Sequence, residues 1–185
     1  MIISLDELLK LDLKDEVIVF QTDTVYGIGC LINSRTGVNK IYEIKNRENK
    51  SPLAVLCANI NQVKDIVKQF DIGEEYALSH WPCALTLIFP KKDIIGDYIT
   101  SGLKSVGVRI PSDQLALSIL EKFGPMAVTS LNISSEPPIL NFLDTLRFKN
   151  EVDFIVKGTN LSSISSTVYD VVNKKVLRQG NIKLG

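Results

Sequence analysis

Hydroxyls, amides and cations gather in five short segments of this chain: Gln21-Thr22-Asp23-Thr24-Val25-Tyr26-Gly27-Ile28-Gly29, Lys45-Asn46-Arg47, Ser105-Val106-Gly107-Val108-Arg109-Ile110-Pro111, Thr129-Ser130-Leu131-Asn132, and Ser166-Thr167-Val168-Tyr169-Asp170 with Arg178 following. Most abut an apolar stretch that reads as a buried strand, and open α/β sheets bind ligands at strand ends. Their shared chemistry is that of an anion-binding cleft, with hydroxyl and amide donors beside guanidinium and ammonium groups.

Each segment alone supports two readings. Lys45 and Arg47 stand two apart and share no face of a regular helix, yet at a fraying helix end both can reach one anion; otherwise they are a solvated basic stretch, offset by Glu43 and Glu48. Thr22, Thr24 and Tyr26 alternate, so an extended backbone points them the same way, with Gly27 and Gly29 permitting close approach; the alternative is a β-turn. Ser130 and Asn132 offer a hydroxyl and an amide to a base, ribose or phosphate, or else cap a helix. Arg109 and Arg178 lie in or beside apolar strands, where a guanidinium requires a carboxylate or phosphate partner: a ligand's, or the protein's own in an ion pair.

Other chemistries lack their residues. The chain has no GxxxxGK[ST] loop, GxGxxG turn, GxSxG elbow or HExxH helix. Its single histidine, His80, sits beside Trp81-Pro82 at a helix end, a structural position, which removes histidine acid–base catalysis. Cys30, Cys57 and Cys83 are far apart, odd in number and without CxxC spacing, so neither a zinc site nor a disulfide framework is expected, and no metal ligands are assigned.

The 185 residues, 45% hydrophobic, suffice for one compact core, and a single domain over residues 1–185 is expected. Twenty-one Lys and Arg balance 21 Asp and Glu, so no global field holds nucleic acid and any contact with tRNA must be local and weak. The N-terminus lacks a basic, then apolar, leader pattern, and no run reaches the roughly 18 apolar residues of a membrane span. A cytoplasmic protein without membrane contact is the expectation.

Apolar patterning supplies the elements that position these groups. Helices are expected over Leu5 to Leu11, Thr36 to Lys45, Asn59 to Lys68, Gly73 to Trp81 and Asp113 to Phe123. Strands are expected over Glu16 to Phe20, Pro52 to Cys57, Ala84 to Phe89, Ser105 to Ile110, Met126 to Thr129, Asp153 to Val156, Thr167 to Val172 and Val176 to Arg178, the last two as a hairpin. The class is α/β: a twisted, mixed parallel and antiparallel sheet flanked by helices. Ser134 to Pro138 and Leu161 to Ser165 read as mobile loops that close over ligand.

Together the segments resemble the YrdC/TsaC family, the threonylcarbamoyl-AMP synthases. The family's PTxTVYGLG-like opening is matched by Gln21 to Gly29, its KxR by Lys45 to Arg47 and its PL strand by Pro52-Leu53. PGPLT, VxVRxP, TSxN, STVxD and RxG are matched in order by Pro82 to Thr86, Val106 to Pro111, Thr129 to Asn132, Ser166 to Asp170 and Arg178 to Gly180. The similarity spans about residues 16 to 180, and the chain resembles the short, single-domain form of a YrdC-like fold.

The resemblance implies that L-threonine and bicarbonate form a carbamate that attacks the α-phosphate of ATP, with Mg2+, giving threonylcarbamoyl-AMP and pyrophosphate. A downstream transferase complex would then modify the tRNA adenosine beside the anticodon. By matched position, Lys45 and Arg47 neutralise carbamate and α-phosphate; Thr24, Thr129 and Ser166 hold threonine, and Arg109 pairs with its carboxylate. Ser51, Ser105, Ser130, Asn132, Arg178 and again Arg47 contact the nucleotide. The chain departs from the pattern at Gln21 for proline, Cys83-Ala84 for Gly-Pro, and Ser135 for glycine; lost glycine at 83 and 135 is expected to narrow the cleft or stiffen the loop. Two other readings stay open: a double-stranded RNA or tRNA-binding module, and a divergent paralogue without threonine chemistry.

Overall fold

Period-two alternation of apolar and small or polar residues organises the molecule, because it lets one sheet bury a core on one face and keep a working surface on the other. The computed structural model describes residues 1–46 and 51–185. Its strands are β1 (Ile2–Ile3), β2 (Ile18–Phe20), β3 (Gly27–Leu31), β4 (Ala54–Leu56), β5 (Leu85–Pro90), β6 (Ser105–Arg109), β7 (Met126–Ser130), β8 (Phe154–Val156), β9 (Thr167–Asp170) and β10 (Lys175–Arg178). They form one sheet in the order β1-β8-β2-β3-β7-β4-β6-β5-β9-β10. The pairs β1/β8, β2/β8, β4/β6 and β5/β9 are parallel and the others antiparallel, the mixed sheet the patterning implies.

The helices are α1 (Leu5–Leu8), α2 (Arg35–Ile44), α3 (Ile60–Ile66), α4 (Glu74–His80), α5 (Asp97–Thr100), α6 (Gln114–Phe123) and α7 (Phe142–Thr145). Side-chain caps fix several starts: Ser4 and Glu7 form a capping box, the Ser34 hydroxyl accepts from the Gly37 N–H, and Asn59 and Asp113 accept from Gln62 and Ala116. One face of the sheet, carrying Val17, Val19, Ile28, Val55, Leu85, Leu87, Phe89, Val106 and Val108, is covered by α2, α3, α4 and α5. The other face, carrying Ile18, Phe20, Leu56, Met126 and Val128, packs under α1 and α6. No helix among the described residues is long and apolar enough to cross a membrane.

The sequence reading misses β1, α5 and α7, all of four residues or fewer, and it misses β3. Gly27 and Gly29 carry the signature of a turn, yet both lie in an extended strand between β2 and β7. A Cβ on Gly29 would stand 2.8 Å from a Val128 methyl and 2.9 Å from the Ala127 carbonyl oxygen, and one on Gly27 would stand 2.9 Å from Val128. Both glycines seat β3 against β7, and Gly29 lies away from the cavity while Gly27 lines it. Gly29→Ala is expected to lower unfolding free energy by about 1–3 kcal/mol, the usual cost of overpacking, read from a urea titration; an unchanged midpoint would remove the steric account.

Candidate functional site

Beyond α1 and α6, part of the second face is left uncovered. Continuing the alternation there exposes Gly27 of β3, Ala54 and Leu56 of β4, Gly107 and Arg109 of β6, Thr86 and Ile88 of β5, Val128 and Ser130 of β7, and Val168 of β9. With Thr22, Thr24, Ser51, Ser165, Ser166 and Arg178 these residues line a cavity of about 320 Å³. A larger, open concavity of about 950 Å³, beside α2 and α5, contains none of the residues singled out from the sequence.

Seven of those residues meet in the smaller cavity: Thr24, Ser51, Arg109, Thr129, Ser130, Ser166 and Arg178. Thr129 alternates with Val128 and Ser130, so its side chain belongs to the opposite face of β7. Ser105 lies outside the cavity, at the far end of β6 from Arg109 and opposite Pro90. Arg47 lies outside the described residues.

Lys45 caps the C-terminal end of α2, as the sequence suggests, but its ammonium is committed to protein oxygens. It is 1% exposed, and Nζ donates to the Ser130 carbonyl at 2.5 Å, the Asn132 carbonyl at 3.1 Å and Asn132 Oδ1 at 2.8 Å. Asn132 is equally engaged: Oδ1 also accepts from Ser130 Oγ at 2.8 Å, and Nδ2 donates to the carbonyls of Ile133 and Glu136. Neither Lys45 nor Asn132 lines the cavity. Their geometry is that of a buried polar knot that shapes the end of β7 and presents Ser130.

Arg109, 7% exposed, has its partner inside the protein. Nη1 donates to Asp23 Oδ1 at 2.5 Å, and Nη2 reaches Thr24 Oγ1 at 3.4 Å. The second oxygen of Asp23 accepts from both the backbone N–H and the hydroxyl of Ser112, each at 3.1 Å. Asp23 and Ser112 were not among the candidate residues; the signal for Asp23 was the carboxylate beside Thr24, since an arginine inside an apolar strand demands one.

The Thr22 to Tyr26 segment is a turn, not an extended run. Thr22 Oγ1 donates to the Val25 carbonyl at 2.7 Å, accepts from the Thr24 N–H and lies 3.0 Å from Thr24 Oγ1. Tyr26 therefore leaves the group and donates its hydroxyl to the Thr159 carbonyl at 2.6 Å; burial, then the charge of Asp113, pushes that hydroxyl's pKa up to about 12.

On the opposite wall, Arg178 Nε donates to the Ser166 carbonyl at 2.9 Å and Nη2 to Ser166 Oγ at 3.1 Å, while Ser166 Oγ lies 2.8 Å from Thr86 Oγ1. Thr86, 6% exposed, is a further cavity hydroxyl beyond the candidates, though it closes the Pro82 to Thr86 segment. Gly180 brings the chain back here: a Cβ would stand 2.6 Å from the Ser165 carbonyl oxygen and from the Thr167 nitrogen. No described carboxylate forms an ion pair with Arg178. Burial, then the nearby charge of Arg109, lowers its guanidinium pKa, the mark of cationic charge that would welcome an anion.

The departures at three positions have structural accounts. Gln21 ties the turn down, its amide donating to Asp113 Oδ2 at 2.7 Å and its oxygen accepting from Thr159 N at 2.7 Å. Cys83 does not adopt positive φ, so the conformational loss expected there does not arise, whereas Ser135 sits at φ 78°. The loop it belongs to is anchored by Ser134 N–H to the Lys45 carbonyl and by the Arg147–Glu136 ion pair. Among the described residues no group of three or more His, Cys, Asp or Glu could hold a metal, and no carboxylate lines the cavity.

The protein is thus an α/β domain with a mixed sheet, the uncovered part of whose second face presents hydroxyls beside two arginines. Residues 11–180 match the Sua5/YciO/YrdC family, described as "Telomere recombination", and the chain belongs to that family. It is 39% identical over 127 residues to threonylcarbamoyl-AMP synthase of Bacillus subtilis (strain 168), covering 67% of this chain and 37% of that protein. It is 32% identical over 177 residues to threonylcarbamoyl-AMP synthase of Pyrococcus abyssi, covering 92% of this chain and 52% of that protein. The crystal structure of Pyrococcus abyssi Sua5 complexed with L-threonine superposes with a TM-score of 0.91 at 29% identity, over 97% of this chain and 57% of that one. The chain thus spans about half or less of the length of these relatives.

Removing the buried ammonium orphans the oxygens it joins. Lys45→Met is expected to lower stability by about 2–4 kcal/mol, measured by denaturant unfolding. Loss of that size argues for the knot; a variant as stable as the parent would return Lys45 to the role of a ligand-facing cation.

Proposed function

We propose that this chain makes threonylcarbamoyl-AMP from L-threonine, bicarbonate and ATP, releasing pyrophosphate, and that the product supplies threonylcarbamoylation of the tRNA adenosine next to the anticodon by a downstream transferase complex. The observation that carries this reading is the convergence of Arg109 and Arg178, from opposite walls, on a small cavity lined by the hydroxyls of Thr24, Thr86 and Ser166. Its volume, about 320 Å³, is near the lower end of the usual range for small-molecule sites and suits an amino acid with an α-phosphate beside it. Similarity to proteins named threonylcarbamoyl-AMP synthase, and to one crystallised with L-threonine, supports it.

The chemistry asks little covalent work of the protein. Threonine's amine and bicarbonate yield a carbamate and water; a carbamate oxygen then bonds to the α-phosphorus as the bond to the β-phosphate oxygen breaks, and pyrophosphate leaves. Two anions must be brought together in line, so neutralisation and positioning supply the catalysis. In this reading Arg109 and Thr24 receive the threonine carboxylate, Ser166 flanks the amino acid while Thr129 offers it backbone only, and Arg178, Ser130 and Ser51 attend the nucleotide. Arg47 is assigned by its matched position alone to neutralise the transferred phosphate; Ser105, Lys45 and Asn132 act at a distance, the last two by shaping the end of β7. Magnesium ions commonly arrive on nucleotide phosphates with much of their water retained, and the residues here include no protein-built cage for one.

The test is pyrophosphate release from ATP and magnesium with threonine or bicarbonate omitted in turn. Release that needs both substrates is expected, with Arg178→Ala lowering kcat/KM about 10²–10³-fold and Arg47→Ala lowering it at least as much in folded protein. Release indifferent to threonine, or none at all, would overturn the synthase reading.

A further inference from the structure

Asp23 is a charged residue beside the cavity to which neither the sequence motifs nor the relatives' names give a task. Its side chain is 10% exposed and that of Arg109 8%, so the pair is almost wholly removed from water. The carboxylate works in two directions. Oδ1 takes Nη1 of Arg109 at 2.5 Å, and Oδ2 takes the N–H and Oγ of Ser112, both at 3.1 Å. Ser112 lies three residues beyond Arg109, past Ile110 and Pro111, so the carboxylate clamps both sides of the corner where β6 ends. Because Asp23 sits between Thr22 and Thr24, whose hydroxyls are 3.0 Å apart, the same clamp fixes where the Thr24 hydroxyl stands relative to Arg109.

Two consequences follow for anything bound in the cavity. An unclamped arginine has several rotamers and a mobile fork; with Nη1 engaged, Nη2 is held towards Thr24 and the cavity as a directed donor. Arg109 and Arg178 are also close enough for the charge of one to depress the pKa of the other. The Asp23 carboxylate compensates one of those two cations, leaving the pair a net single positive charge.

We propose that Asp23 is a positioning residue for the carboxylate-binding half of the site: through Arg109 and Ser112 it sets the geometry of the Arg109–Thr24 fork that receives the amino-acid substrate's carboxylate. This rests on the synthase reading for the identity of that substrate. It makes a selective prediction, because the fork is one wall of the cavity and Arg178 with Ser166 is the other.

The experiment is calorimetric titration of the full chain with L-threonine and, separately, with ATP and magnesium, for the parent protein, Asp23→Asn, Asp23→Glu and Ser112→Ala, each checked for folding by circular dichroism. Asp23→Asn is expected to weaken threonine binding about tenfold or more with ATP binding changed less than about twofold, and Asp23→Glu to recover part of the loss. Ser112→Ala keeps the charge and removes one contact to Oδ2, so a two- to fivefold weakening for threonine alone is expected. Folded Asp23→Asn that binds threonine as the parent does, or loses threonine and ATP in parallel, overturns the proposal. If Asp23→Asn fails to fold, Ser112→Ala decides: a threonine-selective loss supports the positioning role, and unchanged or parallel affinities overturn it. Failure of the parent itself to bind threonine overturns the synthase reading and this inference with it, an outcome distinct from parental binding that Asp23 variants leave untouched.

Discussion

In the central strands β5 and β6, successive residues look alternately into the helix-covered core and into the cavity, and that constraint orders the site. On β5, Leu85, Leu87 and Phe89 go to the core while Thr86 and Ile88 go to the cavity; on β6, Val106 and Val108 go one way and Gly107 and Arg109 the other. A one-residue slip in β6 would bury the guanidinium among aliphatic side chains and expose its valines, and one in β5 would carry the Thr86 hydroxyl into the core. Core packing therefore enforces the registry of the site, and the polar groups need no separate device to hold their depth.

Charge imposes the second condition. Lys45 and Arg109 are both nearly inaccessible to solvent, and each is matched to oxygens of the protein. Their partners differ in kind. Lys45 faces carbonyl and amide dipoles that fix the end of β7, an arrangement of fixed shape with positive charge retained. Arg109 faces a carboxylate, which cancels its charge and leaves orientation as its contribution. Arg178, bonded to Ser166 and without a carboxylate partner among the described residues, supplies the remaining attraction for anions. One cation builds, one aims and one attracts, and only the last two touch the cavity.

Much of this was legible in the chain. Eight strands and five helices followed from apolar patterning and caps, because buried elements leave a strong periodic signature; Asn59 and Asp113 cap their helices as their side chains suggest. Gly27 to Leu31 was hidden because glycine speaks for turns, and only the proximity of Val128 across the strand pair explains it. The polar segments pointed to one cleft, and seven of their residues do converge. What no one-dimensional pattern conveys is direction: that Asn132 and Lys45 turn towards each other, that Tyr26 turns away from Thr22 and Thr24, and that Asp23, 86 positions from Arg109, is its partner. Those are decisions of tertiary packing about which acceptor lies nearest a buried donor.

Arg178 rides on the most exposed strand of the sheet. Every residue of β10 is open to solvent, its one neighbour among the described strands is β9, and its register shifts between Val176 and Arg178. Edge strands of this kind sit at the low-stability end of a fold and open locally without global unfolding. An opening of that kind would withdraw the Arg178 guanidinium from the cavity while leaving the rest of its lining in place. Apparent affinity for an anion then scales with the occupied fraction of the closed strand. By linkage, an anion held by Arg178 would favour the closed strand, and the order of the outermost hairpin would then report on the occupancy of the cavity.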